Sequence, residues 1–207
     1  MGKIVLYGTS IQQGGCASRT GMVPSAMIQR DFNLECVNLA TSGQARMDFY
    51  IAQAMASIDD AICYVIDPVP NCTKDRCDTA TYDFIKILRT LRPEVPIIMV
   101  EGLMYPYTRH DSYLAEYLPQ KNECFHNGYE LHKKENPKGL YYMTHDGQTG
   151  PEMEGTVDGV HLTDYGFRAY ADLLEIKIKE ALDKTKVKYG LKPAYNVVRK
   201  KTRAQRK

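Results

Sequence analysis

The stretch KIVLYGTSIQQGG, residues 3–15, runs from a short apolar segment into a loop rich in glycine. Its first part, KIVLYG (3–8), is partly β-branched and has little polar alternation, which is typical of a strand buried on both faces of a sheet. Four later segments have the same character: LECVNL (34–39), AICYVI (61–66), PIIMV (96–100) and LYYMT (140–144). The sequence therefore predicts five buried strands.

Segments with helical periodicity separate these strands. In the last of them, apolar residues recur at spacings of three and four and form one stripe: Phe167, Tyr170, Ala171, Leu174 and Ile178. The predicted helices span residues 23–32, 48–58, 75–91, 112–134 and 163–183. Regular alternation of strand and helix is the pattern of a parallel sheet with helices on both faces. We therefore predict an α/β fold, a three-layer α/β/α sandwich around a five-stranded parallel sheet.

The composition fits one ordinary globular domain. The chain has 207 residues, of which 43% are hydrophobic and 25% charged, and this is long enough to bury a full core. No apolar run approaches the roughly 18 residues of a membrane-spanning helix, so no membrane span is expected. The six cysteines are too sparse for a disulfide scaffold, and no CxxC pair indicates zinc. We predict a domain over residues 1–183, followed by a separate tail.

The tail, residues 184–207, differs from the body in charge. It holds 10 Lys or Arg and no acidic residue, whereas residues 1–183 hold 17 basic and 25 acidic residues and carry a net charge of −8. A basic tail can bind nucleic acid or an anionic membrane. Because no aromatic or groove-reading motif accompanies it, we favour a solvated, partly disordered end and expect no nucleic-acid partner.

Polar groups follow four of the predicted strands. Ser10 comes after the first, Gly43 after the second and Asn71 after the third, while Asp158 and His161 close the long loop after the fifth. Ligand crevices in parallel sheets lie beyond the carboxyl ends of the strands. Acyl transfer needs a hydroxyl nucleophile, an imidazole base, a carboxylate that orients the imidazole and donors for the oxyanion. The four loops carry all these parts.

This set of residues, in this order, resembles the SGNH (GDSL-like) hydrolase family. The stretch DGVH (158–161) matches the DxxH block of that family, and GTS (8–10) resembles its GDS block with Thr9 in place of aspartate. The third block usually reads GxND, whereas this chain has VPNC (69–72). The resemblance covers about residues 3–182 and implies that Ser10 is the nucleophile, His161 the base and Asp158 its partner. It also implies an oxyanion hole formed by the N–H groups of Ser10 and Gly43 and the amide of Asn71, with no cofactor.

Within that family, the chain looks similar to SGNH domains of Bacteroides-type bacterial proteins in which a small β-sandwich precedes the hydrolase. The resemblance implies a carboxylic ester hydrolase that removes small acyl groups, acetyl above all, from carbohydrates. A lipid-type esterase or thioesterase of the same fold and a noncatalytic binding module are the alternatives. A domain cut from a larger bacterial protein would be periplasmic or secreted, and a free-standing chain would be cytoplasmic.

Several residues have competing interpretations. Asp158 can form a turn. Asp164 is the preferred cap of the last helix because it precedes the amphipathic stretch, and Thr163 is the alternative. Cys16 and Cys72 are the alternative nucleophiles. His145 and Asp146, together with Asp158 and His161, have the residue types of a divalent metal site but fit it only in composition, so no metal is expected. Asn71-Cys72-Thr73 matches a glycosylation acceptor, which the oxyanion role excludes. Further candidates for substrate contact lie in loops after the strands: Arg46, Asp67, Tyr105, Tyr107 and Arg109.

Overall fold

The computed structural model describes residues 2–185 and 187–189. Within these residues the strands are β1 (Lys3–Gly8), β2 (Glu35–Asn38), β3 (Ala61–Asp67), β4 (Ile97–Val100) and β5 (Leu140–Met143). They form one sheet in the order β2-β1-β3-β4-β5, and every neighbouring pair is parallel. The predicted fold class is confirmed, and each predicted strand agrees with the structure to within one residue at either end.

The described region contains six α-helices, five between the strands and one after the last strand. They are α1 (Ser10–Gln13), α2 (Pro24–Phe32), α3 (Phe49–Ala56), α4 (Lys74–Leu91), α5 (Ser112–Glu135) and α6 (Asp164–Asp183). Short 3₁₀ turns lie at Thr20–Met22, Val69–Asn71 and Pro106–His110. The five longer helices match the prediction, but α1 was not expected, because four residues are too few to show a helical period.

The strands are buried on both sides, which explains their lack of polar alternation. In β1, Ile4 and Leu6 pack into one apolar cluster with residues of α2 and α6. Val5 and Tyr7 point the other way, into a cluster with residues of α3, α4 and α5. Because successive strand residues face opposite sides, the two clusters are the two halves of the core of a three-layer sandwich.

Threonine side chains cap the N-termini of α1 and α6, the two helices that border the candidate site. Thr9 accepts a hydrogen bond from the Ile11 N–H at 3.3 Å and starts α1, and Gly14 ends it in a left-handed conformation with φ of 100°. Thr163 accepts from the Gly166 N–H at 3.2 Å and starts α6. The preference for Asp164 over Thr163 as the cap was therefore wrong, since Asp164 is the first helical residue.

The strand order changes direction at β1. The chain passes from β1 to β2 on one side of it and then to β3 on the other. The carboxyl ends of β1 and β3 lie side by side, with Gly8 opposite Asp67. In sheets of this kind a crevice opens at that point, and the loops after both strands border it.

The tail predicted over residues 184–207 lies almost entirely outside the described residues. Only 184, 185 and 187–189 of it are described. Within this range the Tyr189 ring packs on Phe32 of α2, with centroids 5.5 Å apart. The expected disorder of the tail stays a prediction.

Candidate active site

Ser10 lies two residues after the end of β1, as the first residue of α1. Its carbonyl oxygen accepts a hydrogen bond from the Gly15 N–H at 2.7 Å, so the chain turns back on itself after α1. An added Cβ at Gly15 would lie 3.6 Å from Ser10 Cβ and 3.4 Å from His161 Cδ2. The segment after α1 therefore forms one wall beside both side chains.

The turn from Asp158 to His161 holds an imidazole in one orientation. Asp158 Oδ1 accepts from the backbone N–H groups of His161 at 2.7 Å and Val160 at 2.9 Å. Asp158 Oδ2 lies 2.7 Å from His161 Nδ1. These hydrogen bonds, that of the His161 ring first, hold the pKa of Asp158 well below its usual range. A carboxylate at Nδ1 fixes the proton there and leaves Nε2 free to accept one.

The free ring nitrogen faces the serine. Ser10 Oγ and His161 Nε2 are 2.9 Å apart although 151 positions separate the two residues in sequence. The loop after α1 is tied to the start of α6, because Asp164 accepts from the Ser18 N–H at 2.9 Å and from the Ser18 hydroxyl at 2.5 Å. Ser10, His161 and Asp158 thus form one hydrogen-bonded chain with the geometry needed to activate a hydroxyl nucleophile.

A stacked pair of tyrosines supports the turn that carries Asp158. An added Cβ at Gly159 would lie 2.4 Å from Tyr107 Cδ1, and Gly159 has a φ of +86°, so only glycine fits this position. Tyr107 in turn stacks on the largely buried Tyr105, with ring centroids 5.4 Å apart. The Tyr107 ring therefore packs directly against the turn that orients His161.

Two of the three candidate oxyanion donors, Gly43 and Asn71, lie on loops at the same edge of the sheet. Gly43 lies in an exposed turn with φ of +70°, and among the described residues nothing but its chain neighbours comes within 4 Å of where its Cβ would be. The Thr41 N–H donates to the Gly8 carbonyl at 2.9 Å, which ties this loop to the end of β1. The turn is thus anchored beside the nucleophile segment and open above.

The amide of Asn71 has a defined orientation. Its Oδ1 accepts from the Ala45 N–H at 3.3 Å, so the oxygen must face the loop after β2 and the NH₂ group points elsewhere. Asn71 ends the 3₁₀ turn that follows β3, and β3 is paired with β1 in the sheet. This orientation leaves the amide free to donate hydrogen bonds, as an oxyanion hole requires.

Replacing Asn71 tests its role as an oxyanion donor. We expect Asn71→Ala to lower kcat for ester hydrolysis by about 10²–10³-fold with little change in KM, because the lost donor acts on charge that develops in the transition state. Steady-state kinetics on p-nitrophenyl acetate measures the effect. Asn127→Ala, an exposed position on α5, is the matched control. A loss below threefold at Asn71 would exclude the amide from the oxyanion hole.

The candidate substrate contacts separate into exposed and buried groups. Arg46 and Arg109 are exposed, and Arg109 Nη2 lies 3.6 Å from Met153 Sδ in the loop before the Asp158 turn. Tyr105 is largely buried and stacks on Tyr107. Asp67 is only 2% exposed, and its carboxyl group accepts from the Tyr170 hydroxyl. Asp67 is therefore placed beneath the crevice and not on its rim, because the side-chain alternation of β3 directs it into the core.

The structure also places the side chains that were considered as an alternative nucleophile or as metal ligands. Cys72 is buried and its Sγ lies 3.6 Å from the Ala45 carbonyl, while Cys16 is exposed in a left-handed turn. His145 Nδ1 lies 2.7 Å from Glu101 Oε2, a pairing across the ends of β4 and β5 that the sequence did not indicate. Over the described residues, no group of three or more His, Cys, Asp or Glu side chains could hold a metal ion.

Comparison with known proteins shows the family to which the chain belongs. The model of the GDSL-like lipase/acylhydrolase family matches residues 2–179, so the chain belongs to that family. No curated protein matches the sequence. Among the helices of the described residues, none is long and apolar enough to cross a membrane.

Solved structures show the same fold. A GDSL-like lipase from Bacteroides ovatus is 34% identical with a TM-score of 0.84, and the match covers 88% of this chain and 54% of that one. The salicylyl-acyltransferase SsfX3 of a tetracycline biosynthetic pathway is 18% identical (TM-score 0.71; 87% and 55% covered). A family two carbohydrate esterase from Clostridium thermocellum, solved with cellohexaose, is 17% identical (TM-score 0.65; 88% and 65% covered). The chain thus spans between about half and two thirds of the length of these relatives.

Proposed function

We propose that the protein is a serine esterase that hydrolyses carboxylic esters through an acyl-enzyme on Ser10. The observation that carries the proposal is the chain of hydrogen bonds from Ser10 Oγ to His161 Nε2 at 2.9 Å and from His161 Nδ1 to Asp158 at 2.7 Å. Such a chain supplies the nucleophile, the base and the group that fixes the tautomer of the base.

The reaction has two halves. Ser10 Oγ attacks the ester carbonyl carbon while its proton passes to His161 Nε2, and Asp158 stabilises the imidazolium that results. The tetrahedral intermediate collapses and the alcohol leaves with the proton from His161. A water molecule then gives a proton to Nε2 and attacks the acyl group, and the carboxylic acid departs as Ser10 regains its proton.

Three donors are available to the oxyanion in this proposal. Ser10 is the first residue of α1, where backbone N–H groups have no partner within the helix, whereas the next N–H, that of Ile11, is occupied by the Thr9 hydroxyl. The Gly43 N–H and the Asn71 amide complete the set. Each donor of this kind is worth about 2.7–4 kcal/mol of transition-state stabilisation.

We further propose that the substrates are small acyl esters, acetyl above all, of carbohydrates. Two observations support this class. The rim offers the exposed Arg46, Arg109 and Tyr107, which are hydrogen-bonding and aromatic groups suited to sugars. Structural relatives include the carbohydrate esterase from Clostridium thermocellum and a carbohydrate acetylesterase family member from Sinorhizobium meliloti, the latter 14% identical with a TM-score of 0.59.

A series of p-nitrophenyl esters tests the acyl group, and acetylated oligosaccharides test the alcohol. We expect kcat/KM to be highest for p-nitrophenyl acetate and to fall about tenfold or more towards the octanoate. We also expect the enzyme to release acetate from the acetylated oligosaccharides. Rates for each ester with Ser10→Ala serve as the background. A preference for octanoate would instead assign the site to lipid or thioester substrates, and it would contradict the carbohydrate proposal.

A further inference from the structure

Asp67 is a buried carboxyl group that the proposed mechanism does not use. It ends β3, where Cys63 and Val65 face the cluster that contains α2 and α6. Alternation along the strand directs Asp67 to the same face. There its Oδ2 accepts a hydrogen bond from the hydroxyl of Tyr170 at 2.6 Å, and Tyr170 is itself fully buried on α6.

This hydrogen bond lies where the three segments of the candidate site meet. Asp67 is paired with Gly8, which precedes Thr9 and Ser10 on the nucleophile segment. An added Cβ at Gly8 would lie 2.9 Å from the Asp67 carbonyl oxygen, so the two strand ends are in close contact. Asp67 also leads into the 3₁₀ turn that ends at Asn71, and Tyr170 belongs to the helix that starts three residues after His161.

We propose that Asp67 is a positioning residue, which through its hydrogen bond to Tyr170 sets the His161 turn at the correct distance from Ser10 and Asn71. This inference rests on the proposed esterase function. Asp67 does not touch the reacting atoms. It fixes α6, and with it the imidazole, against the ends of β1 and β3, and a displacement of about 1 Å between reacting groups can cost about 10²-fold in rate.

The protonation state of Asp67 follows from its surroundings. Burial raises the pKa of Asp67 to about 8, and the hydrogen bond from Tyr170 opposes this rise only in part. The titratable groups that face it are Tyr170 from α6 and Tyr105 from the loop after β4, whereas β1 presents Gly8. Asp67 has no ion-pair partner among the described residues. At pH 7 the carboxyl group is therefore mostly neutral, and above about pH 8 it becomes a buried charge that is costly to keep in place.

The sign of the effect on stability follows from linkage. The pKa of Asp67 is raised in the folded state from an ordinary value of 3.8 to about 8, so the folded protein binds more protons than the unfolded chain between these values. Its contribution is fully present below pH 3.8 and is lost as the pH rises through about 8. Asn at this position cannot ionise but still accepts from Tyr170.

The test compares wild type with Asp67→Asn and Tyr170→Phe on p-nitrophenyl acetate from pH 6 to 10. In wild type we expect kcat to fall at least about threefold as the pH passes 8, with KM changing less. Asp67→Asn should match wild type at pH 7 to within about threefold and should lack that fall. Tyr170→Phe keeps the ring but loses the hydroxyl, and we expect its kcat to be about tenfold lower at pH 7 with KM nearly unchanged. Asp83→Asn and Tyr165→Phe, both at exposed positions, are the matched controls.

The inference is overturned if Asp67→Asn keeps the pH profile of wild type, or if Tyr170→Phe keeps its kcat. Thermal unfolding supplies a readout that needs no activity. Asp67→Asn should gain Tm relative to wild type as the pH rises from 3.8 to about 8 and should keep that gain at higher pH. An equal pH dependence of Tm in both proteins also overturns the inference. Failure of the proposed function is a different result, namely equal ester hydrolysis by wild type and Ser10→Ala.

Discussion

Ser10→Ala is expected to lower kcat for p-nitrophenyl acetate by at least about 10⁴-fold, because it removes the atom to which the acyl group is transferred. The hydroxyl makes one hydrogen bond in the site, to His161 Nε2, so its removal leaves the imidazole oriented by Asp158. Substrate binding should therefore persist while turnover is lost. Residual hydrolysis would come from the oxyanion donors acting on water.

A matched serine variant separates this effect from general damage to the fold. Ser57 follows α3 at the opposite edge of the sheet and is exposed, so Ser57→Ala should retain the kcat of wild type. Both variants should unfold at temperatures close to that of wild type, because neither side chain fills the core. Equal kcat values for wild type and Ser10→Ala would show that another group is the nucleophile.

The second large effect is expected for Asp158→Asn, with a loss in kcat of about 10³–10⁴-fold. The asparagine Oδ1 can still accept from the backbone N–H groups of Val160 and His161, so the turn keeps its shape. Its NH₂ group, however, would face His161 Nδ1 and favour the tautomer that has the proton on Nε2. An imidazole in that form cannot accept the proton of Ser10.

Kinetics and the tautomer can be measured on the same variant. Asp59→Asn, an exposed position before β3, is the control and should be unchanged. Nitrogen NMR of the His161 ring should show the proton on Nδ1 in wild type and on Nε2 in Asp158→Asn. A loss of less than tenfold, together with an unchanged tautomer, would remove Asp158 from the mechanism.

The sheet could be predicted from sequence because its strands are buried on both sides. KIVLYG and the four segments like it have no polar face, and only a covered sheet accommodates such runs. The candidate site followed from the same prediction, since the carboxyl ends of parallel strands share one edge. The DxxH spacing placed Asp158 and His161 together, and the structure shows the direct bonds between them.

Other features depend on contacts that a single sequence does not reveal. The helix at Ser10 has four residues, and it forms because Thr9 caps it and Gly14 ends it, not because of an apolar period. Thr163 and Asp164 are both good capping residues. The Asp164 carboxylate is bonded to Ser18, 146 positions away, and Thr163 is the residue that caps α6. Asp67 was predicted on the rim because it follows the predicted strand, but β3 extends to include it, so strand alternation turns its side chain into the core. Its hydrogen-bond partner there, Tyr170, lies 103 positions later.

The central claim is that Ser10 carries the acyl group, and covalent labelling with a fluorophosphonate tests it most directly. Wild type should gain one phosphonyl group by intact mass, and peptide mapping should place it on Ser10. Ser10→Ala should gain none, and His161→Ala should react far more slowly, because its serine has lost the base. Absence of labelling in wild type under conditions that label known serine hydrolases, or a label on any other residue, would contradict the account.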